Sequence, residues 1–75
     1  MKLSTCKRMK EHYEIYNYEV ILHKSNKRCQ HELEIRTNKS FLNDDDLENL
    51  FPQDAPRYTS SLYHNTKYGI VVRVG

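Results

Sequence analysis

Tryptophan is absent from this chain, and glycine and proline occur only twice each. With Gly69 and Gly75 as the only glycines, there is no glycine-rich loop to cradle a nucleotide phosphate. No flexible or proline-rich linker divides the chain, and no segment repeats. The two cysteines, Cys6 and Cys29, are too few for a disulfide framework or a paired-cysteine zinc knuckle, so both read as free thiols. No run approaches the roughly 20 apolar residues of a membrane span. The first residues also lack the apolar core of a signal peptide. A cytosolic protein with no membrane partner is the expectation.

What remains is polar, aromatic and small. Seventy-five residues make one domain that buries only about 60 % of the surface its unfolded chain exposes, so a deep substrate cleft would be costly. Six tyrosines and two phenylalanines put much of the buried area into rings with a polar tip. Net charge is only +2, but it is unevenly spread. Residues 1–39 carry an excess of bases, residues 40–56 hold acids and no base, and residues 57–75 hold bases only. A basic arm, Lys2, Lys7, Arg8 and Lys10, precedes the first acid. Such an arm attracts phosphates or an acidic protein surface.

Periodicity predicts an α+β domain of order ββαββ, with two hairpins in one antiparallel sheet and one short helix on a face. Residues 1–12 form the basic arm, left open as to structure, and residues 13–75 form the domain. Tyr16, Tyr18, Val20 and Leu22 alternate with polar residues, which predicts a strand from Tyr13 to Lys24. A competing helix over 5–18 rests on the spacing of Met9, Tyr13 and Tyr16, but the aromatic and β-branched content favours the strand. Ser25, Asn26 and Lys27 supply a turn, with Asn26 suited to a left-handed backbone. Over 28–37, Cys29, His31, Leu33 and Ile35 fall on one face of the next strand.

Asn43 followed by Asp44, Asp45 and Asp46 predicts a helix start, with Leu42 stapled to Leu47. Leu47, Leu50 and Phe51 would share the buried stripe, and Pro52 limits the helix to two turns. A second hairpin, 57–64 and 68–74, turns at Asn65, Thr66 and Lys67. Tyr68, Ile70, Val72 and Val74 would face one way and Val71 the other. A strand this apolar calls for neighbours on both sides, and left at an edge it would invite a homodimer.

No catalytic constellation emerges, and an enzyme is not expected. His12, His23, His31 and His64 with the cysteines lack structural-zinc spacing, so neither metal nor cofactor is expected. Cys29 and His31, two apart on a strand, would be about 6.5 Å apart, too far for a thiol–imidazole pair. The three aspartates lack the alternating acids and central glycine of a calcium loop.

The remaining expectation is a binding protein that inhibits or modulates a larger protein by stoichiometric contact, in the manner of antitoxin-like factors or small phage and mobile-element accessory proteins. Its contacts would be Tyr16, Tyr18, Tyr63 and Tyr68, rimmed by Arg8, Lys27, Arg28 and Arg57, because aromatic and arginine side chains dominate hot spots. The alternative is an RNA or single-stranded DNA binder. It would set Lys7, Arg8, Lys10, Lys24, Lys27 and Arg28 on phosphates and stack strand tyrosines on bases.

Overall fold

A computed structural model describes residues 1–52 and 60–75. Six elements follow in the order α1 (Leu3–Ile15), β1 (Glu19–His23), β2 (Glu32–Arg36), α2 (Asp44–Leu50), β3 (Ser60–Thr66) and β4 (Gly69–Val74). The four strands form one antiparallel sheet in the order β1-β2-β4-β3. The α+β class and the four expected strands are therefore present, with one helix more than expected.

That extra helix occupies residues assigned to the arm and to the start of the first strand, and the division at residue 12 falls inside it. Cys6 and Tyr13 are buried and Met9 is partly so, a stripe at spacings of three and four that only a helix can turn inward. Lys, Arg, Met and Glu between them are good helix formers. The helix ends where Asn17 adopts φ 66°, a left-handed residue of the kind that terminates helices. The alternation of aromatic residues from Tyr13 onward is thus a strand signal only from Glu19.

Register fixes the faces. Val20, Ile35, Val72 and Leu62 lie in one row across the sheet, and Leu22, Leu33, Val74 and Ser60 in another. Cross-strand partners share a face, so these rows line the inner side. Val20, Leu33, Ile35, Val72 and Val74 pack there with Met1, Cys6 and Tyr13 from the first helix and its flank and with Leu50 from α2. Each fully buried large aliphatic contributes roughly 1.5–3 kcal/mol. Leu33, Ile35, Leu50, Val72 and Cys6 are the most completely enclosed.

The connections depart from expectation in instructive ways. The strands of the first hairpin are shorter, and residues 24–31 form the link between them. Its left-handed residue is Cys29, at φ 65°, in place of Asn26. Cys29 and His31 consequently lie outside β2. In the second hairpin Lys67 and Tyr68 make the turn. Gly69 follows at φ +69°, where an added Cβ would lie 2.5 Å from the Lys39 carbonyl oxygen. Only glycine fits both requirements. β4 lies between β2 and β3, as its apolar sequence demands, so the sheet's edges are β1 and β3 and a homodimer cannot form through β4.

Candidate binding surfaces

One predicted contact residue, Tyr18, turns out to be internal structure, tied to the cap of α2. Asn43 caps α2 by accepting from the Asp46 amide at 2.8 Å, while Asp46 Oδ2 accepts from the Asn43 amide at 3.2 Å. The other Asp46 oxygen accepts from Tyr18 Oη at 2.6 Å and from Lys39 Nζ at 2.7 Å. Asp46 is buried, and the Lys39 ammonium and the Tyr18 hydroxyl hold its carboxyl below the ordinary carboxylate range. Burial, with the adjacent carboxylate, pushes the Tyr18 hydroxyl up to about 12. Tyr18 is 6 % exposed, so its ring is not available to a partner, contrary to expectation. Leu42 packs on the core, but Leu47 and Phe51 are exposed, and Leu50 alone of the proposed stripe is buried.

The outer sheet face carries no helix among the described residues. One row across it runs Glu19, Arg36, Val71, Tyr63, and the next runs Ile21, Glu34, Arg73, Ser61. Arg36 donates to Glu34 at 2.7 Å and to Glu19 at 3.3 Å, His23 pairs with Glu34 at 2.9 Å, and Arg73 with Glu32 at 2.7 Å. The Arg36 guanidinium, and secondarily His23, holds the Glu34 carboxyl low. Arg36 also lies 3.7 Å over the centroid of Tyr68, with Lys67 on that ring at 5.2 Å. Such stacking fixes a guanidinium plane. Tyr68 therefore sits with Arg36 on the outer side, not with Ile70 and Val72. The turn at 67–68 interrupts the strand's alternation, so period two cannot be extended back through it.

Tyr63 is 49 % exposed, beside buried Val71 in register. It borders an open depression of about 360 Å³ lined also by Glu32, Ser61, Arg73, Val74 and Gly75. Its strand, β3, is a seven-residue edge, exposed at every position but Thr66 and carrying no Lys, Arg, Asp or Glu. Natural edges are commonly blunted by charge or proline. A register irregularity between Tyr63 and Thr66 is one such device among the described residues.

At the far end of β1 and β2, the start of α1 is tied to the first hairpin link. The Met1 amino group donates to the carbonyls of Cys29 and His31, each at 3.0 Å, and the His31 amide donates to the Met1 carbonyl at 3.1 Å. The Ser25 amide donates to His31 Nδ1 at 3.1 Å, which gives His31 a role within the link. A depression of about 300 Å³ lies here, lined by Lys2, Leu3, Ser4, Arg28, Cys29 and His31. Basic residues far apart in sequence thus meet at one pole.

The predicted site residues divide accordingly. Arg28 lines the pole with Lys2, Lys7 and Arg8 are exposed on α1 and Lys24 and Lys27 in the 24–31 link, whereas Lys10 is engaged by Glu14 at 2.9 Å. Tyr63 and Tyr68 belong to the outer face. Tyr16 caps the opposite end of α1 and is 40 % exposed. Arg57 lies outside the described residues. Sequence reasoning missed Arg36, whose alternation signal marked it only as outward-facing. Among the described residues no three His, Cys, Asp or Glu side chains group as a metal site, and no helix is long and apolar enough to cross a membrane. No family model, curated protein or solved structure matches the chain.

Proposed function

We propose that this protein works without catalysis, by stoichiometric contact with a larger protein that it inhibits or modulates, and that the partner docks on the outer sheet face around Tyr63. The observation that carries this reading is a face with no helix among the described residues, on which Tyr63, Tyr68 and Arg36 surround buried Val71 beside an uncharged edge strand. Tyrosine and arginine are the residues that anchor hot spots. An edge strand adds backbone hydrogen bonds to a partner's strand, and side-chain contacts supply the specificity. The acids whose values are lowered are engaged by internal partners: Asp46 by Lys39 and Tyr18, Glu34 by Arg36 and His23. Such groups are structural ion-pair members and not poised acids or bases. The reading places the protein in the cytosol, where free thiols such as Cys6 and Cys29 persist.

Immobilised protein and its Tyr63→Asp variant, exposed to native lysate with and without nuclease, test this reading. One protein retained near equimolar ratio by the parent, resistant to nuclease and lost with Tyr63→Asp, is the expected result. Equal capture by both baits, or loss of every partner on nuclease treatment, would sink it. Light scattering is expected to give a monomer mass for the isolated chain; a dimer dissolved by Tyr63→Asp would reassign the face to self-association.

A further inference from the structure

We infer that the cationic pole where α1 meets the 24–31 link binds the phosphodiester backbone of nucleic acid, without stacking on its bases. This rests on observations separate from the outer-face reading. Lys2, Lys7, Arg8, Lys24, Lys27 and Arg28 are all exposed, and none makes an ion pair with another described residue. By contrast Lys10, Arg36, Lys39 and Arg73 are each matched to a carboxylate within 3.3 Å. Lys67, at the turn of the second hairpin, is the other described base without a carboxylate partner; the six lie on α1, its flank and the 24–31 link, and Lys2 and Arg28 meet at the shared depression. Hydrogen bonds from Met1 to Cys29 and His31 hold the two segments together. Ser4 lines the shared depression, and Lys7 and Arg8 follow it at three and four residues along the same helical face.

The chemistry of the pole selects among polyanions. No acid and no Phe, Tyr or Trp lines the depression, and its one ring, that of His31, is held within the link by the Ser25 amide; Leu3 and Cys29 are its least polar members. An acidic protein surface would need an apolar centre to anchor it, whereas a phosphate backbone needs only positioned cations. The tyrosines that a single-strand binder would stack lie elsewhere. Tyr13 and Tyr18 are buried, and Tyr16 sits beyond the far end of α1, roughly 20 Å away by helix rise. Recognition is thus of backbone, independent of sequence.

The test is fluorescence anisotropy of the full chain with random-sequence duplex DNA and RNA across a salt series. If all six cations engage, affinity should fall about 10³-fold between roughly 50 and 200 mM salt. The quadruple variant Lys7→Gln/Arg8→Gln/Lys27→Gln/Arg28→Gln should lower the log–log salt slope by about 0.9 per lost contact, while Lys67→Gln leaves it unchanged. All four positions are exposed, and circular dichroism checks that the fold is kept. No binding at the lowest salt, a slope unchanged in the quadruple variant, or competition by polyglutamate or phosphatidylserine vesicles as effective as by duplex would each overturn the assignment.

Discussion

The outer sheet face and the pole at the start of α1 are both rich in cations and use them in opposite ways. On the sheet, Arg36 is held by Glu34, Glu19 and the Tyr68 ring, and Arg73 by Glu32. Alternation on short antiparallel strands sets acids and bases in neighbouring rows, so the charges cancel locally. At the pole, helix and loop bring bases together from separate segments with no acid interleaved. The pole's charge is left to act at a distance, and the sheet's charge is spent on placing side chains. Ion pairs at a solvent-facing surface add little to stability; their value on the sheet is positional.

The deepest break in this comparison would come from beneath it. Leu33 is fully buried under the row that sets the register, and Leu33→Ala should cost about 2–5 kcal/mol. A chain of 75 residues has only roughly 4–11 kcal/mol in total, so denaturant melts should show it close to unfolded. Next is Asp46→Asn, which should cost about 1–3 kcal/mol, because Lys39 and Tyr18 lose an anionic acceptor in a buried site.

That variant also tests pH dependence. Asp46 and Glu34 have depressed values in the folded state, so on acidification the unfolded chain takes up protons first. The stability they supply is present above about pH 4 and is lost as pH falls through their folded values. Thermal melts of Asp46→Asn should show a flatter acid limb. At the alkaline end the raised Tyr18 value, about 12, works the other way. Unfolded tyrosine ionises near 10, so stability declines from there toward 12.

Smaller effects separate the two cationic regions. Tyr63→Ala, at a half-exposed edge position, should change stability by no more than about 0.5 kcal/mol while removing partner capture. Neutralising Lys7, Arg8, Lys27 and Arg28 should leave denaturation midpoints unchanged or slightly raised, since these charges repel one another. A clear loss of stability there would show that the pole is held by contacts not seen among the described residues.

Much of the fold is legible in residue order. The clean alternation of Leu33, Glu34, Ile35 and Arg36 gives β2, Asn43 with its three acids gives the start of α2, and the apolar run from Ile70 to Val74 gives an inner strand. Residues 13–18 are misread as strand because Tyr16, Tyr18 and Val20 alternate across a helix end. Asn17, the left-handed residue that separates helix from strand, reads in sequence only as a polar position in the aromatic alternation. The binding surfaces were half legible. Arg28 and Lys27 were visible as a basic tip and Tyr63 as an exposed aromatic. Arg36 was visible only as a solvent-side base, because its stacking partner, Tyr68, is far away in sequence and reaches it through β4.

Local order alone determined the types of β2, α2 and β4, the inward stripe of β2 and the α2 cap, since these depend on neighbours within a few residues. Tertiary structure alone decided three things. It drew Tyr18 and Asp46 into a buried pair, put Tyr68 beneath Arg36, and joined the basic arm to the hairpin link. Each depends on which segments the sheet order β1-β2-β4-β3 brings side by side, and the contacts that set that order join residues tens of positions apart.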